Sequence, residues 1–316
     1  MRVAVIGSGG IARRHIGLLA AEPDVELAGI VSPSPERAAA AAHRWRCPVY
    51  GTVAELLSQE TIDAAWICIP PGGHGEIESR LIARGIPFFV EKPLSADRRT
   101  GEEIGAALAR AGLIAAVGYH WRALDTIPEV RRTLADRPAR MVLGAWHDAT
   151  PPPEWWRHQA GGGGQMVEQA THLFDLARLL VGEATVTAAT ATRYGQAAYP
   201  DADVADVSAA LLRFAGDATG VFTATCLLGG VAAAQVQIVC EGLLITITQR
   251  GVLYDWGRER REVLTGNDPF VDEDRAFLQA VQRNDPALLV SSYADALRTH
   301  RLCFDVQAAS GYPADS

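Results

Sequence analysis

The sequence predicts an α/β chain in two parts: a doubly wound parallel sheet over residues 1–121, then an α+β half over residues 122–316 with a large, mostly antiparallel sheet. Three observations carry this. Short, continuous apolar runs alternate with helical patterns through the first 121 residues, as buried parallel strands joined by crossover helices do. The first run, Val3 to Ile6, leads directly into Gly7-Ser8-Gly9-Gly10-Ile11-Ala12, a Gly-x-Gly-x-x-Ala turn that opens a helix. From about residue 123 the pattern changes to short alternating segments rich in Thr and Val, separated by Gly, Asp and Pro.

The first turn has a physical reading residue by residue. Gly7 permits a tight turn, Gly9 lets the backbone approach a pyrophosphate, and small Ala12 lets the helix pack close on the strand. The free N–H groups and positive end of the helix dipole then face an anion. The stretch Gly7 to Ala12 is therefore expected to hold a dinucleotide in a Rossmann-type fold. A second buried strand, Val25 to Val31, ends in Ser32. The fingerprint places an acidic residue at this point to hold the ribose hydroxyls. Ser32 and Ser34 would instead admit a 2′-phosphate, with Arg37 and Arg13 as candidate partners. This favours NADP over NAD. Arg37 also reads as a solvated helix charge.

Further along, residues 48–50 form a short strand, and Thr52 caps a short helix. The run Ala64 to Ile69 is a buried strand closed by Pro70 and Pro71, at the carboxyl edge where open α/β sheets bind ligands. A helix follows from Glu76 to Ala83, with Gly85 placed as a C′ glycine. His74 either caps that helix or lines the cleft. Residues 87–90 make a strand that runs into Glu91-Lys92-Pro93. A helix over 100–111 and a strand over 114–117 complete the half, ending in Gly118-Tyr119-His120-Trp121-Arg122.

Composition bounds the function. The chain has 316 residues, 48% hydrophobic and 21% charged, which suits two soluble domains. A net charge of -8 argues against nucleic acid as partner, since phosphate-backbone binding needs a basic surface. No apolar run approaches the roughly 20 residues a membrane helix needs. The five cysteines form no Cys-x-x-Cys pair, and a strand beginning at residue 2 leaves no leader, so a reduced, cytoplasmic protein is expected.

Four blocks, "VAVIGSGGIARRH", "ICIPPGGHGEI", "GIPFFVEKPLS" and "VGYHWR", resemble the glucose–fructose oxidoreductase / inositol dehydrogenase / MocA (Gfo/Idh/MocA) family in order and spacing. The resemblance covers the second half more loosely. It implies an open sheet with helices on one face and oligomers built through the other; since exposed apolar sheet surface finds a partner, a homodimer or homotetramer is expected. It also implies a catalytic Lys92. The residues agree: a lysine fixed between a buried strand and a proline can polarise a carbonyl or take part in proton transfer. The implied cofactor contacts are Gly7, Ser8, Gly9, Gly10, Ile11 and Ala12 in the turn, with Ser32, Ser34 and Arg37 beyond it. Ile69, Pro70, Pro71, His74, Glu91, Lys92 and Arg122 follow at the sheet edge, and Trp156 and Arg157 complete the set.

In the second half a helix is expected to about Leu134, a strand over 141–146, five further strand segments and closing helices over 273–281 and 293–309. Its chemistry lies in "WWRHQAGGGGQMVEQATHLFDLARLLVGE", where Glu168, His172 and Asp175 are spaced to share one side of a helix. The family block is Asp-x-Gly-x-His-x-x-Asp, so Glu168 stands at the usual Asp, one methylene longer, and Ala170 at the usual Gly. Three readings fit: His172 as general acid/base with Glu168 orienting its neighbours; a shared metal ion, for which no third ligand is evident; or a helix-capping carboxylate beside a buried histidine. Tyr119, Trp121, His147, Trp155, Trp156 and His158 are candidates to line a sugar-sized pocket, or to be core. The expected function is an NAD(P)-dependent oxidoreductase of a sugar, cyclitol or sugar derivative, with no metal. The alternatives are a dinucleotide-sensing regulatory protein and a dehydratase or glycosidase that oxidises only transiently.

Overall fold

The computed structural model describes residues 1–312. Its first half alternates without exception: β1 (Arg2–Ile6), α1 (Gly10–Leu19), β2 (Glu26–Val31), α2 (Pro35–Trp45), β3 (Val49–Tyr50), α3 (Val53–Gln59), β4 (Ala64–Ile67), α4 (Glu76–Ala83), β5 (Phe88–Val90), α5 (Arg98–Ala111) and β6 (Ala115–Val117). The six strands pair in parallel in the order β3-β2-β1-β4-β5-β6. The order reverses between β1 and β4, and a ligand crevice opens outside the carboxyl ends of strands at such a point. The loops after β1, β4, β5 and β6 all lie at that edge.

The second half contains α6 (Ile127–Asp136), β7 (Met141–His147), two one-turn helices α7 (Gln159–Gly162) and α8 (Gln165–Glu168), and α9 (Thr171–Val181). Seven strands follow: β8 (Ala184–Thr192), β9 (Val207–Phe214), β10 (Thr219–Thr225), β11 (Ala233–Cys240), β12 (Leu243–Thr248), β13 (Gly251–Asp255) and β14 (Arg260–Leu264). Helices α10 (Pro269–Arg283) and α11 (Tyr293–Ala309) close the chain. The eight strands form one sheet, β14-β13-β12-β11-β7-β10-β9-β8, antiparallel except where β7 and β10 run parallel.

Period-2 patterning explains the layers. Val142, Phe222, Leu212, Val236, Ile245 and Tyr254 point inward and pack with Leu173 and Phe174 of α9, where Phe174 and Phe222 stack at 4.6 Å. The opposite face carries Leu143, Val221 and Leu211 in one row and Val239 with Leu244 in another, half-buried or exposed, among threonines. One face of this sheet is thus open, as the resemblance implied.

Helices α10 and α11 return to the parallel sheet. Phe277 and Leu278 of α10 share a core with Trp66 and Phe89, while Tyr293, Ala296 and Leu297 of α11 share one with Phe88 and Ile104. Helix α5 admits α11 at close range through two glycines. A Cβ at Gly101 would sit 2.6 Å from His300, and one at Gly105 2.8 Å from Leu297. That contact offsets the cost of about 1 kcal/mol that an interior helical glycine carries.

Candidate active site

The Gly-rich turn has the form its residues imply. Gly7 sits at φ +121°, and a Cβ there would come within 2.1 Å of the Cys68 carbonyl oxygen, so only glycine fits. Around Gly9 and Gly10 the space is open: a Cβ at either would meet nothing within 4 Å. Helix α1 starts there with no side-chain cap and no acid in its first turn. Open backbone N–H groups at an uncapped helix start fit a pyrophosphate. Ile11 is partly buried, and Ala12 packs without exposure against Val3 and Val5. Ser8 and Ser32 are both buried, and their hydroxyls bond each other at 2.7 Å. The Ser34 amide donates to the same Ser32 hydroxyl at 3.3 Å. Arg37 is exposed on α2 and makes no ion pair among the described residues.

After β4, Ile69 and Pro70 lead into a single turn of 3-10 helix over Pro71–Gly73. A Cβ on Gly72 would lie 2.8 Å from the Ala160 carbonyl oxygen, so α7 of the second half rests directly on this turn. His74 does not itself cap α4: the N-cap is Gly75, whose N–H donates to Glu78, and the buried His74 ring places its Nδ1 2.5 Å from the same carboxylate.

Lys92 and Glu168 bring the two halves together. Lys92 Nζ donates to the Glu168 carboxylate at 2.5 Å and to its backbone carbonyl at 2.9 Å. The other Glu168 oxygen accepts from Trp156 Nε1 at 2.7 Å. The extra methylene of Glu168 therefore lets one carboxylate hold both groups. This occupancy counts against the metal reading of Glu168 and His172, because the carboxylate is already engaged.

His172, in the first turn of α9, packs against two indoles that also touch each other. Trp121 and Trp146 stack on it at 6.2 and 6.0 Å, and Tyr119 and His120 meet it edge-on at 5.9 and 4.8 Å. Its Nδ1 is buried and has no hydrogen-bond partner among the described residues. Burial, with the neighbouring His120 and Lys92, holds its pKa well below the ordinary histidine value. The ring is therefore neutral near pH 7, so its unprotonated nitrogen is open to a proton. His120 is pushed down to about 4, by burial first; it stacks on Phe270 and bonds Gln249.

Several expected residues lie elsewhere. Arg122 does not face the cleft. Its guanidinium grips both oxygens of Asp175, at 2.5 and 2.6 Å, and Asp295 at 2.6 Å, and its side chain is 6% exposed. Asp175 therefore does not share a side with Glu168: the chain bends at Gln169 and Ala170 between α8 and α9, and Asp175 turns to Arg122 and Thr299. Arg157 lies over the Tyr199 ring at 4.8 Å. His147 bonds Thr223 on the open face of the large sheet, and His158 pairs with Asp203 at 3.7 Å. Trp146 was missed because it sits in a strand pattern where indole reads as core. Lys92 carried an unread signal: it is the only lysine among 29 basic residues, the rest being arginine.

The comparisons with known proteins agree with this geometry. A family model described as an oxidoreductase family with an NAD-binding Rossmann fold matches residues 1–119, and a Gfo/Idh/MocA C-terminal domain matches residues 138–244. The chain belongs to the Gfo/Idh/MocA oxidoreductase family. Inositol 2-dehydrogenase of Rhizobium meliloti is 28% identical over 226 residues, 68% of this chain and 66% of the relative. UDP-N-acetylglucosamine 3-dehydrogenase of Acidithiobacillus ferrooxidans is 30% identical over 132 residues, 42% of this chain and 41% of the relative. Its crystal structure superposes with a TM-score of 0.84 at 21% identity, covering 99% of this chain and 98% of that one. A 3-ketoreductase from Actinomadura kijaniata, in complex with NADP and TDP-benzene, superposes with a TM-score of 0.86 at 22% identity over 98% and 97% of the two chains. This family member has a dinucleotide-binding domain, and the open turn at Gly9 and Gly10 is where that dinucleotide fits.

Proposed function

We propose that this protein is an NAD(P)-dependent dehydrogenase or reductase acting on a hydroxyl or keto group of a sugar, cyclitol or sugar derivative. The reading rests on one observation above all: Lys92, from the edge of the dinucleotide-binding sheet, meets Glu168 from the second half, with His172 four residues on. We place the division between cofactor and substrate halves at residues 121 and 122. NADP is the favoured cofactor, since Ser32 offers no carboxylate to repel a 2′-phosphate, and Ser34, Arg37 and Arg13 are its proposed partners.

Bound NAD(P) supplies or accepts the hydride. The chain supplies position and charge. Gly7 to Ala12 and the start of α1 hold the pyrophosphate. Lys92 has three N–H donors and spends two on Glu168, so one remains for the substrate oxygen, where it stabilises developing negative charge. Neutral His172 takes the proton of the substrate hydroxyl in the oxidation direction. Glu168 and Trp156 keep Lys92 from swinging into solvent.

We also propose a cytoplasmic homodimer or homotetramer, formed through the open sheet face that carries Leu143, Val221 and Leu244. Among the described residues no helix is long and apolar enough to cross a membrane. The test is a panel of sugars, cyclitols and nucleotide sugars scored for reduced nicotinamide, alongside the Lys92→Ala protein. Turnover by the parent, lost in Lys92→Ala with dinucleotide affinity retained, is the expected result.

A further inference from the structure

Beneath Lys92 lies a buried ionic row that the proposed chemistry does not use. Glu91, expected as a cofactor contact, instead turns inward from the end of β5, is 7% exposed and gives its carboxylate to protein donors. Gly118, at the end of neighbouring β6, leaves room for it: a Cβ there would lie 2.8 Å from the carboxylate. One Glu91 oxygen accepts from His15 Nε2 at 3.0 Å, and the other from the Lys92 backbone N–H at 3.2 Å. His15, on α1, is fully buried, and its Nδ1 lies 2.9 Å from both oxygens of Asp274 on α10. Asp274 also accepts from Trp66 Nε1 at 2.8 Å.

The charges follow from these contacts. Burial works against a charged His15, but Asp274 and Glu91 outweigh it and hold its pKa well above the ordinary value. Burial likewise works against an ionised Glu91, and His15, then Lys92 and His120, reverse it. Glu273 lies beside them with neither oxygen partnered. Burial and the Glu91 charge push it well above the carboxylate range, so it stays neutral and leaves Glu91 to His15. The row is thus anion, cation, anion, running from α10 through α1 to the main chain of Lys92.

Stability alone is a poor reason for such a row, because well-packed apolar replacements of buried ion triads are often neutral or better. What the row does is geometric. It ties the helix that faces the dinucleotide to the peptide that carries the proposed catalytic ammonium. We infer that Glu91 is a positioning residue for Lys92: gripped by His15 and Asp274, it holds the Lys92 main chain in register with α1. Its effect on turnover rests on the role proposed above for Lys92; its hold on Lys92 does not.

The single lysine makes the test direct. Reductive methylation with 13C-formaldehyde labels only Lys92 and the N-terminal amine. In the parent protein the Lys92 methyl resonance is expected apart from that of free dimethyl-lysine. In Glu91→Ala it should move toward the free position while NADP still binds within about threefold, since the Gly-rich turn is untouched. Glu91→Gln, which keeps an acceptor for the Lys92 N–H, should restore most of the parent shift. Glu273→Gln, in the same cluster without a hydrogen bond, should leave it unmoved. If Glu91→Ala does not fold, His15→Gln serves with the same readout. A Lys92 resonance that Glu91→Ala or His15→Gln leaves in place overturns the inference. Full turnover by Lys92→Ala would instead remove the catalytic reading, while the resonance still decides whether Glu91 holds Lys92.

Discussion

Two ionic networks draw on the same stretch of chain, Glu168 to Asp175: one joins the two halves, and the other fastens the start of the second half to α9 and α11. Lys92 meets Glu168; Arg122 meets Asp175, seven residues further on. The difference lies in what each cation has left to give. Arg122 is saturated: Asp175 takes it at both oxygens, Asp295 takes it from the other side, and Thr299 completes Asp175. The bidentate fork is rigid, permanently charged and almost closed to solvent. Lys92 is a point charge that keeps a donor free, and its side chain is 16% exposed. One network is a strut and the other a tool, although family pattern and spacing present them as one block.

The comparison can be broken from either side. The largest effect is expected in the strut. Arg122→Met leaves Asp175 buried without its partner and should cost about 3–5 kcal/mol of stability, the scale for breaking a buried pair. Urea unfolding measures it, and a loss below about 1 kcal/mol, the value of an exposed pair, would contradict that role. The tool should behave in the opposite way. Lys92→Ala should lower turnover by about a hundredfold or more, as removal of a positioned acid–base or oxyanion group does. Its unfolding free energy should fall by less than that of Arg122→Met, because the Lys92–Glu168 pair is closer to solvent.

A smaller change sharpens the tool. Glu168→Asp shortens the carboxylate, so it cannot span Lys92 and Trp156 together; turnover should fall about tenfold, within the range for misplaced catalytic groups. Ser32→Asp should shift cofactor preference toward NAD by a similar factor, about 1.4 kcal/mol, read by calorimetry with both dinucleotides. Tighter NAD binding by the parent protein would refute the NADP preference.

The smallest expected effect is in pH. His172 is held well below the ordinary histidine value, so the neutral base is present above that depressed value and is lost only as pH falls through it. The acid limb of kcat/KM should therefore lie well below 6.5, the reference value. Stability has its own acid slope. Burial depresses His120 and His300 to about 4. The unfolded chain takes up their protons below about 6.5 while the folded chain does not, so their contribution falls between about pH 6.5 and 4. His15 runs the other way: its contribution is complete below about 6.5 and is lost as pH rises through its raised folded value.

Much of this was legible in the chain. Continuous apolar runs marked the strands of the first sheet, and Gly7, Gly9 and Ala12 marked the turn, because each is required by local geometry. The sequence "LLITITQRGVLYDW" resolves into the β12–β13 hairpin. Strand β14 was not legible: Arg260, Arg261 and Glu262 give no apolar alternation, and charge of this kind is what an edge strand tolerates. Arg122 was misplaced since nothing local says which way a side chain turns after a strand. His15 follows Arg13 and Arg14 in the chain, and its partners Glu91 and Asp274 lie 76 and 259 residues away. Such pairings are settled by tertiary packing, beyond the reach of motif spacing.

The most direct test of the whole account is to follow nicotinamide absorbance in the parent protein and in Lys92→Ala, each mixed with NADP and a panel of sugars and cyclitols, after dinucleotide binding has been measured in both. The account requires net reduced nicotinamide from the parent on at least one panel member, and about a hundredfold less from a Lys92→Ala protein that binds NADP as well. Equal rates from the two proteins would contradict it. So would a bound nicotinamide in the parent that is reduced and reoxidised with no net accumulation, because that is the behaviour of a transiently oxidising enzyme.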